Sequence, residues 1–203
     1  MPGSQNAQRI GIYAGTFDPV HTGHITFALQ ALAAAELDKV YFLPERQPRR
    51  KQGVEHFAHR LAMIKLAVQP YPQFEALDLP DINFSVRRTL PRLKKQFGSA
   101  RLVFLFGSDI LPNLQAWPDA DRLLAETELV IGLRAEADRA GLHHVVEAWP
   151  VQPQALTMFA SYAPDVSSGR VRRALSGHQH AKGLLKSVER YSDRNWLYVA
   201  LPR

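Results

Sequence analysis

Apolar positions along the chain fall into short continuous runs separated by longer stretches at helical spacing. The first run, with Ile10, Ile12 and Tyr13, passes through the small pair Ala14 and Gly15, then through Asp18 and Pro19 into His21, Thr22, Gly23 and His24. That order predicts a strand, a tight turn and a helix start. In the following ITFALQALAAAEL, Ile25, Leu29 and Leu32 share one helical face, the alanines add helix propensity, and Thr22 can cap. KVYFLPE supplies a second β-rich run, with Val40, Tyr41, Phe42 and Leu43 bounded by Asp38 and Pro44. Strand, helix and strand at this spacing form a parallel βαβ unit, and its right-handed crossover lays the helix against the sheet.

The pattern then repeats. His56 to Gln69 reads as an amphipathic helix through Leu61, Ile64 and Leu66, and FEALDL as a short strand. Leu102 to Phe106 are continuously apolar, the clearest buried strand in the chain, and TELVIGLR gives another. LHHVVEAW suggests a helix, ALTMFAS one more strand, and VSSGRVRRAL a helix capped by serine. No linker, internal repeat or low-complexity insert divides the chain. Residues 1–8 read as a disordered tail and 9–203 as a single α/β domain, a Rossmann-like, doubly wound parallel sheet with ligands over the carboxyl edge of its strands.

Composition narrows the classes. With 203 residues, 46% hydrophobic and 22% charged, the chain can bury a core without staples. It has no cysteine, which excludes disulfides, a thiol nucleophile and a thiolate metal site. No apolar stretch is long enough to span a bilayer, and MPGSQNAQ lacks the regions of a signal peptide, so a cytoplasmic protein without membrane partners is expected. A formal charge of +6 favours anionic partners, whether phosphorylated small molecules or nucleic acid.

Candidate chemistry gathers at strand ends. A helix start directly after a buried strand presents unpaired N–H groups and the positive end of the helix dipole, which suits a phosphate. His21 and His24, three apart in that mouth, can aim both imidazoles at one point. Taken alone they could equally be a metal pair, two solvated histidines or catalytic donors. The loop RQPRRKQG, with Arg46, Arg49, Arg50 and Lys51, follows a parallel strand and so emerges at the ligand-binding edge. Gly107 would let a ligand approach the end of the apolar strand, and Asp109 could accept from ribose hydroxyls; an ordinary Gly-Ser-Asp turn reads the same way. Ser167 and Ser168 can cap a helix whose first turn adds backbone donors, while Arg170 and Arg172 carry cationic forks for phosphate oxygens. His56 and His59 read as surface or structural, and His143 and His144 carry no assigned chemistry. The dinucleotide G-x-G-x-x-G fingerprint and the Walker lysine loop are absent, which disfavours a stored NAD and a P-loop mechanism.

Together the words GTFDPVHTGH closely resemble the signature of the nucleotidylyltransferase superfamily, whose H-x-G-H element is matched by His21, Gly23 and His24. From about residue 9 to about residue 199 the chain resembles the bacterial nicotinate mononucleotide adenylyltransferases of that superfamily. Pro44 and Pro48 match the family's P-x-x-x-P spacing and Lys51 its closing basic residue. Gly107 and Asp109 match the G-x-D element at adenosine, and Ser167, Ser168 and Arg172 match I-S-S-T-x-I-R. The resemblance also sets Gly15, Thr16 and Phe17 against ATP. It further implies that Thr89 shapes the pyridine-nucleotide pocket, that Trp117 stacks on the pyridine ring, and that Arg134 is a basic residue at a strand end of the same subsite. Thr89 and Leu90 match a Thr-Leu that precedes a helix, Arg60 and Met63 match structural positions, and LLKSVERYSDRNWLY matches a closing helix with a terminal Leu-Tyr. Departures stand at Ala14, Arg49, Arg50, Arg88 and Gly169.

The resemblance implies adenylyl transfer from ATP to nicotinate mononucleotide, with nicotinamide mononucleotide as a second acceptor, giving the dinucleotide of NAD biosynthesis and pyrophosphate. His21 and His24 would stabilise the reacting phosphate, and Lys51, Ser167, Ser168 and Arg172 would hold the triphosphate. Mg²⁺ would be carried by phosphate oxygens and water, with no protein metal ligand. Phosphopantetheine adenylyltransferases and cytidylyltransferases share the histidine motif and are the nearest alternatives. A non-catalytic nucleotide or RNA binder on the same scaffold is the alternative from another class, though nucleic acid is not the expected partner. Homo-oligomerisation is left open.

Overall fold

Among the described residues every strand runs parallel to its neighbours. The computed structural model describes residues 7–49, 51–133, 138–162 and 166–199. Its strands are β1 (Arg9–Gly15), β2 (Lys39–Pro44), β3 (Phe74–Ala76), β4 (Arg101–Gly107), β5 (Glu128–Leu133) and β6 (Leu156–Ala160), in one sheet of order β3-β2-β1-β4-β5-β6. Parallel pairing requires a crossover after each strand, and the helices supply it: α1 (Thr22–Ala34), α2 (Phe57–Val68), α3 (Val86–Phe97), α4 (Leu111–Leu114), α5 (Ala120–Glu126) and α6 (Asp138–Glu147). Two more, α7 (Ser168–Ser176) and α8 (Lys186–Arg194), close the chain. This is the Rossmann-like doubly wound domain expected, and its strand order reverses between β1 and β4.

The two-residue period of a strand divides the core. On β4, Leu102, Phe104 and Phe106 pack with Leu90 and Leu93 of α3 and Leu123 and Leu124 of α5. The intervening Val103 and Leu105 face the other way, into a core with Ala28 and Ala31 of α1, Met63 and Ile64 of α2, and Val188 of α8. Both faces of the central strand are therefore dry, which is why it reads as an unbroken apolar run.

One expected helical face is rotated. Leu29 is 39% exposed, whereas Ala28 and Ala31 are fully buried with Ile25. The stripe is centred on the alanines, whose small side chains let α1 approach the sheet closely, and Leu29 falls at its edge. At the other end of the sheet Gln8, assigned to the tail, extends the pairing: its carbonyl accepts from Arg101 N at 2.7 Å. Among the described residues no helix is long and apolar enough to cross a membrane.

Candidate active site

The reversal between β1 and β4 leaves a crevice at the carboxyl edge, and a cavity of about 680 Å³ lies there. Thr16, Phe17, His21, His24, Lys51, Gly107, Asp109, Ser167, Ser168 and Arg172 all line it. Residues that lie far apart along the chain thus converge on one space, while Gly15 is not among those that line it.

The turn after β1 is built to present the two imidazoles. Phe17 adopts a left-handed backbone, φ 52°, unusual for a bulky residue, and its ring is buried beneath Gly15 and edge-on to His24 at 5.0 Å. His21 occupies the cap position of α1, and its backbone N donates to His24 Nδ1 at 3.2 Å. That bond makes Nδ1 the acceptor and leaves the proton of a neutral His24 on Nε2. The two rings stack with centroids 3.7 Å apart. A side chain at position 23 would put its Cβ 3.0 Å from the His21 ring, so the glycine of the H-x-G-H element is what allows His21 to fold back over the first helical turn. Similarly, a Cβ at Gly107 would lie 2.6 Å from Asp109 Oδ1.

Neutral imidazoles are favoured in the free protein. Burial lowers the His21 pKa to about 4. His24 is pushed well below its ordinary value by burial first, then by His21 and Lys51. His21 Nδ1 is buried without a hydrogen-bond partner. A stacked pair of neutral rings next to cationic side chains is poised for an anion, whose arrival would reverse the electrostatic pressure on both.

Cationic and donor groups share the rest of the wall with the carboxylates of Asp18 and Asp109. Lys51 Nζ donates to Thr16 Oγ1 at 2.8 Å at the rim. Ser167 caps α7, accepting from Arg170 N at 3.3 Å, while Ser168 Oγ donates to the carbonyl of Pro19 at 2.9 Å and so ties α7 to the histidine turn. Arg172 Nη1 donates to the Asp18 carbonyl at 2.6 Å. At Gly169, where the family has threonine, a Cβ would meet open space. The basic loop divides: Arg46 bonds Asp78 and Leu79, Arg49 bonds Asn83 and Phe84, and Lys51 turns to the cavity. Arg50 lies outside the described residues.

The residues assigned to the pyridine end stand apart from the cavity. Thr89 is buried, its Oγ1 accepting from Ser85 N at 3.1 Å in the first turn of α3. Trp117 is half-buried, edge-on to Phe106 at 5.8 Å and tilted against Phe84 at 6.2 Å. Thr89 and Phe84 share a small hollow, so the two residues gather around Phe84 on the α3 face, one position along β4 from Gly107. Arg134 lies outside the described residues.

Sequence reasoning missed the support behind the site. Asp18 is 2% exposed and accepts on Oδ1 from Tyr198 Oη at 2.8 Å and from Glu55 N at 3.3 Å. Arg60, read as structural, is 1% exposed and spends its guanidinium on the carbonyls of Thr16, Glu45, Arg46 and Glu55, fastening the loops that frame the cavity. An arginine inside the apolar stripe of Met63, Ile64 and Ala67 was the available signal. His56 caps α2 and His59 meets Tyr191 Oη at 3.0 Å, both structural as expected. Among the described residues no three His, Cys, Asp or Glu side chains converge as a metal-ligand set.

Residues 12–174 match the model of the cytidylyltransferase-like family. Nicotinate-nucleotide adenylyltransferase of Bacillus subtilis is 32% identical over 201 residues, covering 94% of this chain and 98% of the relative. In fold, the chain is similar to nicotinic acid mononucleotide adenylyltransferase of Plasmodium falciparum complexed with NaAD, with a TM-score of 0.75 at 18% identity over 94% of this chain and 97% of that one. The same enzyme complexed with APC gives a TM-score of 0.74 at 17% identity, with the same coverage. With a family match across most of its length and a relative of this identity end to end, the chain belongs to the cytidylyltransferase-like family, in its nicotinate-nucleotide adenylyltransferase branch.

Proposed function

We propose that the protein transfers the adenylyl group of ATP to nicotinate mononucleotide. A phosphate oxygen of the mononucleotide attacks the α-phosphorus of ATP, the bond to the β-phosphate oxygen breaks, and pyrophosphate leaves with that oxygen. The product is the dinucleotide, and no protein nucleophile is needed. The observation that carries this reading is the convergence of the stacked His21 and His24, Lys51, and the α7 start with Arg172 on one cavity at the β1 and β4 strand ends.

The attacking phosphate monoester is already anionic, so the protein must hold two polyanions in line and stabilise the charge that develops between them. His24 Nε2–H, its tautomer set by the His21 backbone, donates to the reacting phosphate, and His21 lies stacked beside it. Lys51 and Arg172, which both line the cavity, bind the triphosphate, and the first turn of α7 adds backbone N–H groups. Thr16, Gly107 and Asp109 complete the adenosine side. The mononucleotide's ring lies toward Trp117 and Thr89, across the end of β4. With no cluster of three metal-ligating side chains among the described residues, Mg²⁺ would be held mostly by the triphosphate and water, where it would neutralise phosphate charge.

Pyrophosphate release with ATP and Mg²⁺ tests this directly, comparing nicotinate mononucleotide, nicotinamide mononucleotide and phosphopantetheine as acceptors. Release is expected with a pyridine mononucleotide, and the ratio of the two kcat/KM values names the preferred one. Release with phosphopantetheine alone, or with no acceptor while ATP binds, would overturn the assignment.

A further inference from the structure

The terminal Leu-Tyr pair takes no part in the chemistry above, yet the fold delivers it to the back of the site. Leu197 is buried in the core shared by α1, α2 and α8, and its backbone N donates to the Ser192 carbonyl at 3.0 Å. Tyr198 follows in a left-handed backbone, φ 62°, which costs a bulky residue about 1 kcal/mol and persists only where surrounding contacts impose it. Its half-buried ring packs on the same core, and its hydroxyl reaches Asp18 Oδ1 at 2.8 Å across 180 residues of sequence.

Asp18 stands three residues before His21, in the turn that aims the imidazole pair. Its carboxylate has almost no access to water. Oδ1 has the Tyr198 hydroxyl and the longer contact from Glu55 N, while Oδ2 is buried without a hydrogen bond, 3.6 Å from Arg172 Nη1. The same Arg172 nitrogen donates to the Asp18 carbonyl, and Ser168 holds the next carbonyl, that of Pro19. A buried carboxylate needs donors to stay in place. Burial, and then the neighbouring Asp18, hold the Tyr198 hydroxyl above its ordinary range, so it remains a neutral donor at every working pH.

We propose that Tyr198 is a positioning residue for adenylyl transfer: through Asp18, its hydroxyl fixes the turn carrying His21 and His24 and sets Arg172 against the cavity wall. This rests on the adenylyltransferase reading for its kinetic consequence, and on geometry alone for its structural one. The closing segment of the chain then acts as a latch on the first loop.

Tyr198→Phe keeps the ring and removes one oxygen. Its kcat for pyrophosphate release should fall about tenfold with KM for ATP changed less than about twofold, because misplaced donors are felt chiefly in the transition state. Asp18→Asn should also lower kcat, and adding Tyr198→Phe to it should cost less than about twofold more, since the two groups act as one unit. Losses that multiply in the double variant, or a Tyr198→Phe kcat equal to wild type, overturn the proposal. A second readout needs no turnover. In NMR spectra the imidazole C–H resonances of His21 and His24 should shift in Tyr198→Phe while those of His143 and His144 on α6 stay fixed. If the wild type releases no pyrophosphate, the adenylyltransferase reading alone fails and these resonances still decide the latch; unmoved His21 and His24 signals sink it.

Discussion

The two edges of the same sheet treat charge in opposite ways. At the amino edge, Glu128 at the start of β5 is 3% exposed and pairs with Arg9 of β1, with Arg101 of β4 at 3.6 Å. Arg9 also bonds the Ala35 carbonyl, and its backbone N donates to Asp38 at 2.7 Å. Cations there are answered by the protein's own anions. At the carboxyl edge, Lys51, Arg172 and the imidazole pair surround open space, while the nearby Asp18 carboxylate is buried and engaged by Tyr198. Carboxylates stand at that edge too, Asp18 3.6 Å from Arg172 Nη1 and Asp109 on the cavity wall, but the groups frame an open space that suits a polyanionic ligand. The amino edge is therefore built for stability, and the carboxyl edge for a polyanionic ligand.

Substitutions should separate along this line. The largest effect is expected from Glu128→Gln, which leaves Arg9 without its buried counter-ion: stability should fall by about 3 kcal/mol, the low end for breaking a buried pair because Arg9 keeps part of its surface in water. Denaturant unfolding measures this, and kcat of the folded fraction should be unchanged. A kcat loss matching the stability loss would erase the distinction between the edges.

His24→Ala should do the reverse. Loss of one donor aimed at the reacting phosphate is expected to lower kcat by about 100-fold, equivalent to about 2.7 kcal/mol, with little change in KM for ATP or in the unfolding midpoint. Steady-state kinetics beside a denaturant curve gives both numbers. An effect confined to KM would assign His24 to ground-state binding instead.

Acid should expose the cost of holding His21 neutral. Its folded-state pKa of about 4 lies below the unfolded value near 6.5, so the unfolded chain binds the extra proton first. The contribution is fully present above about pH 6.5 and is lost as pH falls toward 4; at pH 5, 1.5 pH units below the unfolded value, the loss amounts to about 2 kcal/mol. Wild type should therefore lose about 2 kcal/mol more stability than His21→Gln between pH 7 and pH 5. Equal losses in the two proteins would mean that His21 is not held neutral by burial. Saturating ATP should shrink the difference, since triphosphate oxygens favour the protonated ring.

The same contrast explains what was legible in the sequence. β1, its turn and α1 could be read because strand period, glycine and cap act within a few residues, and the unbroken Leu102 to Phe106 run announced a strand covered on both faces. Lys51, Ser167 and Arg172 were legible only as candidates, from a loop after a parallel strand and a serine-capped basic helix, and the family resemblance singled them out from ordinary solvated residues. Asp18 as a hub was not readable, because its partners Arg172 and Tyr198 lie 154 and 180 residues away and only the closed fold joins them. The rotated face of α1 escaped for a related reason: Leu29 and Ala28 are neighbours on the helix, and the sheet's preference for the smaller one is a packing fact.

Trp117→Ala should have the smallest effect and bears on how far the carboxyl edge extends. The ring is held by Phe84 and Phe106 on the α3 face, outside the cavity that His21 and Lys51 line. If the pyridine ring stacks there, truncation should raise KM for the mononucleotide by about tenfold, roughly the 1.4 kcal/mol of one aromatic contact, and leave KM for ATP within about twofold. Part of that indole is buried, so a loss of stability will accompany it, and Trp117→Phe, which keeps an aromatic face, should recover most of both. Equal damage to the two KM values would instead mean that Trp117 only buttresses Phe106 beneath the ATP end, and that the carboxyl edge holds one subsite where two are proposed.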